Sequence, residues 1–355
     1  EVFKLYQKWT EEDILSGKYG RYIDICSLYP SVQFLDYLPY GKPKLFEFNE
    51  DDETPDINNY FGYVECDITP PKNLLVPLLG GVQNNKFCFG LERMERATIP
   101  TPELQKALTL GYKIDRVYKI YHFKKTKELF KSYIRKFIKN KIYGGGFDGN
   151  DEEKEAYCRE YREKFNIDID PNKLIPNAGQ KAVSKLCLNN LWGRFGMRQM
   201  NKNEYINTPE DWYKLLNRQK NKEVEILSRE DLGNSLFVCY KELKENKTSL
   251  TKTNVALCGM ITSNARLRLY EVIGKLGSRL IYCDTDSCIY EYNKTKWNPE
   301  EGHLLGEWET EENLPIKEIV CPAPKTYSYL TTDDKTEIKS KGIQLNKRNL
   351  KTINL

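Results

Sequence analysis

The stretch IYCDTDSCIY, residues 281–290, sets Asp284 and Asp286 two apart between short runs of strand-forming residues. This pattern predicts a β-hairpin whose tight turn carries both carboxylates. Like charges that close raise one another's pKa unless a cation neutralises them. Asp and Thr are also common turn residues, so an ordinary hairpin turn is the plainer reading of these residues alone.

A third carboxylate changes the balance. RYIDICSLYPSV, residues 21–32, reads as a β-rich run ending at Asp24, followed by a turn with Pro30. If the strands pair, the three carboxylates converge, and the hard cation that suits aspartate oxygens is Mg²⁺. Two such ions about 3.5–4 Å apart form the arrangement for in-line phosphoryl displacement. AGQKAVSKLCLNNLWGRFG, residues 178–196, has helical character until Gly193, with Lys181, Lys185, Asn189 and Trp192 along one stripe. Lysines so placed suit the β and γ phosphates of a triphosphate, although solvated surface is the commoner fate of any single lysine.

The 355 residues are enough for about two domains or one elaborated one. Charged residues are 30% and hydrophobic ones 39%, which fits a globular protein better than a disordered or membrane-spanning one. The net charge of +4 gives little support for an anionic partner, so local patches must decide. Ten cysteines without a CxxC pair, and only His122 and His303, argue against a Cys/His zinc site and for a reducing compartment. No long apolar run or basic leader is present, so no transmembrane helix, signal peptide or membrane partner is expected.

KPKLFEF, YFGYVECDI and NKFCFGL read as short strands of a β-rich insertion. TPELQKALTLGYKI predicts a helix with Thr101 as N-cap and Gly111 as its stop. TKELFKSYIRKFIKNKIY predicts an amphipathic helix with Leu129, Phe130, Tyr133, Ile134, Phe137 and Ile138 on one face. After GGGFDGNDEE, the run DEEKEAYCREYREKF predicts a charged, solvated helix. Residues 197–253 are polar and mixed, with EVEILS and SLFVCYKEL as strands, before NVALCGMITSNARLRLYEVI returns to helix.

DICSLYP, KLCLNNLWG, YCDTDS and KTY at 325–327, in that order, resemble the motifs of the family B DNA polymerases. YFGYVECDITPP, TPELQKALTLGYKI and LNNLWGRFGMR are similar to the protein-primed subgroup found in viruses, linear plasmids, organelles and Polinton (Maverick) elements. The resemblance covers nearly the whole chain. It implies an α+β right-hand polymerase fold with an antiparallel palm, helical fingers and two insertions like terminal-protein regions. The implied order is palm at 1–39, 101–123 and 254–332, insertions at 40–100 and 197–253, and fingers at 124–196. A thumb would begin at 333, with KSKGIQL as the step into it.

The resemblance also implies roles. Asp24 and Asp286 are the expected metal ligands, with the main-chain carbonyl of Ile25, for two Mg²⁺ ions that Mn²⁺ can replace; Asp284 supports the primer end. Lys185, Lys181 and Lys173 are expected to hold the triphosphate with the main chain around Ser27 and Leu28. Tyr29 would exclude a ribose 2′-hydroxyl, Asn189 and Trp192 would flank the nascent base pair, and Thr285, Lys325 and Tyr327 would hold the primer. Asn190 stands where the family usually has serine, and Trp192 where it usually has tyrosine.

The implied activity is DNA-directed DNA polymerisation from dNTPs on a primed template, with a terminal protein as a further primer; the reducing compartment expected from the cysteines leaves nucleus, cytoplasm and mitochondrion open. Only 23 residues precede Asp24, so no exonuclease domain is expected in this chain, and the thumb is expected to be barely begun at Leu355. A non-catalytic remnant that binds DNA or nucleotide is the alternative. Reverse transcriptases rank below both, because their last motif has adjacent aspartates whereas Thr285 intervenes here.

Overall fold

The structure is a computed structural model that describes residues 1–83, 86–197, 202–243 and 253–342. Leu280–Asp284 and Ser287–Asn293 form the predicted antiparallel hairpin. Its second strand pairs with Lys18–Ile25, setting Ser287 opposite Asp24. On the other edge of Lys18–Ile25 lie Trp308–Thr310 and Ile316–Ala323, and Thr326–Thr331 and Thr336–Ser340 extend the sheet. Ladders on both edges fix the strand that carries Asp24.

Successive side chains of a strand point to opposite faces, and both faces of this sheet are covered. Ile23, Cys288 and Tyr290 join one buried cluster, while Tyr22, Tyr282, Ile289, Tyr327 and Tyr329 join Trp9 in another. The alternation puts Asp24 on the Tyr22 face and Asp284 on the Tyr282 face, just past the aromatic cluster. The central strand leads into helix Leu28–Leu35 where a turn was expected. Pro30 is accommodated in its first turn, where an N–H has no intrahelical partner to lose.

Leu38–Glu47, Lys113–Thr126, Gly62–Thr69 and Met94–Pro100 form one four-stranded antiparallel sheet in that order, separate from the sheet that carries Asp24. The N-cap of helix Thr101–Thr109 is Pro100, and the Thr101 hydroxyl instead accepts from the Gly62 N–H at 3.0 Å. Gly111, at φ 93°, stops the helix as expected.

Helix Lys131–Gly145 buries Ile134, Ile138 and Ile142; Leu129 precedes it and is exposed, so the apolar face starts later than predicted. The charged helix Asp151–Phe165 is capped by Asn150 and Glu153 and buries Cys158 and Tyr161, so it is more than a solvated face. Helix Ala178–Phe195 runs past Gly193. The strand Lys113–Thr126 ends five residues before helix Lys131–Gly145 begins.

Residues Asn190–Cys258 form a separate compact unit, a slightly wider span than the 197–253 expected. Its sheet runs Val224–Asp231, Leu236–Glu242, Lys202–Ile206, with helix Pro209–Lys220, which the sequence reading missed, packed through Leu215 onto Ile206, Val224 and Val238. Thr336–Ser340 is an edge strand of the large sheet, paired with Thr326–Thr331. Residues 343–355, with the end of KSKGIQL, and Arg198 of LNNLWGRFGMR lie outside the described residues. Among the described residues no helix is long and apolar enough to cross a membrane.

Candidate active site

The hairpin turn and the central strand meet at a hydrogen bond from the Ile25 N–H to the Asp286 carbonyl, 2.8 Å long. Asp24 and Asp286, far apart in sequence, thereby become neighbours. Burial is the main reason that the Asp24 carboxyl is pushed up to about 7, followed by the charges of Asp286, Glu311 and Glu309 against the opposing pull of Lys141. Asp286 is also raised, first by burial and then by Asp284, against its own main-chain N–H and Lys325.

Asp284 differs from its two neighbours because the protein supplies its countercharge. Lys325 Nζ lies 2.6 Å from one carboxylate oxygen, and the Thr285 hydroxyl donates to the other at 3.2 Å. Lys325 occupies the turn between Ile316–Ala323 and Thr326–Thr331 at φ 61°, and its N–H donates to the Tyr282 hydroxyl at 3.0 Å. Tyr327 sits beneath this turn, buried, with its hydroxyl donating to that of Tyr22 and its ring 5.0 Å from Tyr282. Its ring belongs to the aromatic core under the carboxylates.

Asp24 and Asp286 have no ion pair among the described residues. Two half-buried carboxylates that repel one another, beside the Ile25 main-chain carbonyl, make an all-oxygen donor set that fits a hard divalent cation. No third acidic, thiol or imidazole side chain joins them in a ligating cluster among the described residues. An ion held here would take its remaining oxygens from water or substrate, as Mg²⁺ usually does.

Cations flank this pair on the other side. Lys141 Nζ donates to the Ser27 hydroxyl at 2.7 Å, and its pKa is lowered, first by burial and further by the nearby charges of Lys185 and Lys181. Three ammonium groups from two helices thus share one neighbourhood with no carboxylate salt bridge to any of them among the described residues. Glycine makes this possible. A Cβ on Gly144 would stand 2.7 Å from the Lys181 nitrogen and 2.9 Å from the Asn177 oxygen, so only glycine lets the end of Lys131–Gly145 approach the start of Ala178–Phe195. Ser27, left-handed at φ 55°, is the N-cap of Leu28–Leu35, whose first N–H groups point out of the helix beside Lys141.

Next to Asp284 lies a cavity of about 340 Å³ lined by Tyr29, Phe87, Phe89, Arg266 and Thr285 among others. Tyr29 and Thr285 therefore face the same space. Lys173, in the short turn Pro171–Lys173, pairs with Asp170 at 3.4 Å. Asn189 is exposed on the same helix as Lys185, and Trp192 falls in the second compact unit.

Three contributors escaped the sequence reading: Lys141, Glu309 and Glu311. Glu309 stands opposite Asp24 in the ladder and accepts from the Cys26 thiol at 3.0 Å. The alternating acids of WETE and the glycines after KNKIY were the available signals.

The chain matches the organellar and viral type B DNA polymerase family over residues 9–144 and 152–297. It belongs to that family. A "probable DNA polymerase" of Agaricus bitorquis is 26% identical over 351 residues, covering 89% of this chain and 38% of the relative. One of Podospora anserina is 27% identical over 364 residues, covering 92% and 26%. Among solved structures, Phi29 DNA polymerase with primer-template DNA and incoming nucleotide superposes with a TM-score of 0.58 at 18% identity, covering 98% of this chain and 55% of that one. The complex with single-stranded DNA gives 0.57 at 19%, covering 95% and 52%. The type B polymerase chain thus has the Phi29 polymerase fold, and it spans well under half the length of these curated relatives.

Proposed function

We propose that this type B polymerase chain carries the nucleotidyl-transfer centre of a DNA-directed DNA polymerase, in which a primer 3′-hydroxyl attacks the α-phosphorus of a dNTP and pyrophosphate leaves. The observation that carries the reading is the Ile25–Asp286 hydrogen bond, which brings Asp24 to Asp286, with Lys141 acting on Asp24 and Lys185 and Lys181 acting on Lys141. Asp24, Asp286 and the Ile25 carbonyl are the groups that would hold two Mg²⁺ ions, or Mn²⁺ in their place. When bound, such ions lower the pKa of the attacking hydroxyl and offset charge on the leaving pyrophosphate.

The remaining work is positioning and charge stabilisation by the chain itself. Lys185, Lys181 and Lys141 would grip the triphosphate, with the N–H groups that open helix Leu28–Leu35 as further donors; Lys173 is held by Asp170 and acts from farther out. Tyr29 would close the space a 2′-hydroxyl needs. The Asp284–Lys325 pair, with Thr285, would hold the primer end, and Tyr327 would support that pair from below. Asn189 would flank the nascent base pair. A terminal protein hydroxyl would take the place of the primer end when synthesis starts on protein.

Primer extension by the purified chain tests this. The wild type should extend a primed DNA template with Mg²⁺, and Asp286→Asn should abolish incorporation without changing the unfolding transition by more than about 2 kcal/mol. Extension that persists in Asp286→Asn would defeat the ligand assignment, and a folded wild type with no extension would favour a binding remnant.

A further inference from the structure

A second group of unpaired cations lies away from the nucleotide site. Lys125 and Lys127 both place their ammonium groups against the ring of Tyr37, at 4.9 and 4.7 Å from its centroid, and Lys125 also lies 5.6 Å from that of Phe61. Tyr37 is 46% exposed, and neither lysine has a carboxylate partner among the described residues. The nearest acids in sequence are already engaged: Asp36 is paired with Arg268 at 2.6 Å and Glu128 with Lys131 at 2.5 Å. Lys124, opposite Tyr40 in the adjoining ladder, and the exposed Lys42 and Lys44 add positive charge without an ion pair of their own among the described residues.

Two ammonium groups on one ring repel each other, and in a chain this rich in acids the absence of a carboxylate is informative. With 51 acidic residues available, the arginines on or beside the same sheet and Lys119 are paired: Arg93, Arg96, Arg116 and Lys119 each have a carboxylate partner. The ring holds the two ammonium groups by cation–π attraction and leaves their outer sides open to an anion.

Position indicates which anion. Tyr37 lies two residues past helix Leu28–Leu35, after the extended C-cap Asp36, and the first residue of that helix borders the Ser27–Lys141 contact. The eight-residue helix is about 12 Å long at 1.5 Å per residue, so it spaces the patch on the order of 12 Å or more along the chain from the nucleotide site. A DNA strand carries one phosphate per about 3.4 Å of axis, so this is three or four phosphates away. We propose that Tyr37, Lys125 and Lys127 form a clamp for backbone phosphates of the DNA that occupies the polymerase centre. The proposal rests on the polymerase reading above for its ligand, and its test does not depend on catalysis.

The test is binding of a fluorescent primer–template duplex by anisotropy from 50 to 200 mM salt, without dNTP. Each phosphate contact contributes about 0.9 to the slope of log affinity against log salt. Lys125→Ala/Lys127→Ala should therefore flatten the slope by about two, and its affinity deficit relative to wild type should shrink roughly tenfold across that range. Lys125→Arg/Lys127→Arg should keep the wild-type slope, and in all three proteins the dNTP KM at saturating DNA should be the same. A double alanine variant that folds normally and keeps the wild-type slope overturns the clamp, whatever extension assays show. Loss of extension in Asp286→Asn bears only on the polymerase reading.

Discussion

Asp24→Asn should make the metal-free protein more stable while removing its activity. The Asp24 carboxyl moves from its ordinary 3.8 to about 7 in the folded chain. At about 1.36 kcal/mol per unit, the full shift corresponds to roughly 4 kcal/mol. Asp24 is only partly buried, and solvent screening reduces this to roughly 1–2 kcal/mol. The sign follows from the raised pKa. Below pH 3.8 the carboxyl is protonated whether folded or unfolded and costs nothing; between 3.8 and about 7 the unfolded chain releases the proton more readily, and the native state loses stability as pH rises. The asparagine variant escapes this loss. Urea unfolding in EDTA should show no difference near pH 4, a growing advantage for Asp24→Asn up to pH 7, and a plateau above it. Saturating Mg²⁺ should reverse the order at pH 8, because only the wild type gains the ligand's binding energy. A variant less stable than wild type at pH 8 without metal would refute the electrostatic reasoning.

Lys141→Ala should raise the KM for dNTP by about 10- to 100-fold, the value of a charged hydrogen bond of roughly 1.5–3 kcal/mol. It should also move the acid limb of the pH–rate profile upward, since Lys141 opposes the rise of Asp24; steady-state extension across pH reads both. Glu103→Ala should cost about 3 kcal/mol in urea unfolding, because Arg266, 2.5 Å from the buried Glu103 carboxylate, would lose its countercharge. Glu103→Gln should cost less.

The hairpin at 281–290 and the strand ending near Asp24 were legible because period-two alternation and turn residues are local signals. Their convergence followed once both were strands with acids at their ends. The lysine stripe of 178–196 was equally local. Lys141 was not legible: its helix reads as an apolar stripe with a solvated lysine face, and its hydrogen bond to Ser27 joins residues 114 apart in sequence. Glu309 and Glu311 depend on which strand pairs with Lys18–Ile25, a non-local choice. The pairing of the second sheet has the same origin. Lys113–Thr126 is a strand by its own composition, but nothing local says that its partners are 38–47 and 62–69. In 209–220 the helix rests on Leu215 and partly buried Trp212 amid charged residues, too thin an apolar face to stand out.

Counting bound Mn²⁺ by electron paramagnetic resonance, with primer-template DNA and a non-hydrolysable dNTP analogue present, tests most directly whether Asp24 and Asp286 share a metal site. Two ions per wild-type chain and fewer than one in Asp24→Asn/Asp286→Asn are expected. Two ions retained in the double variant would contradict the account.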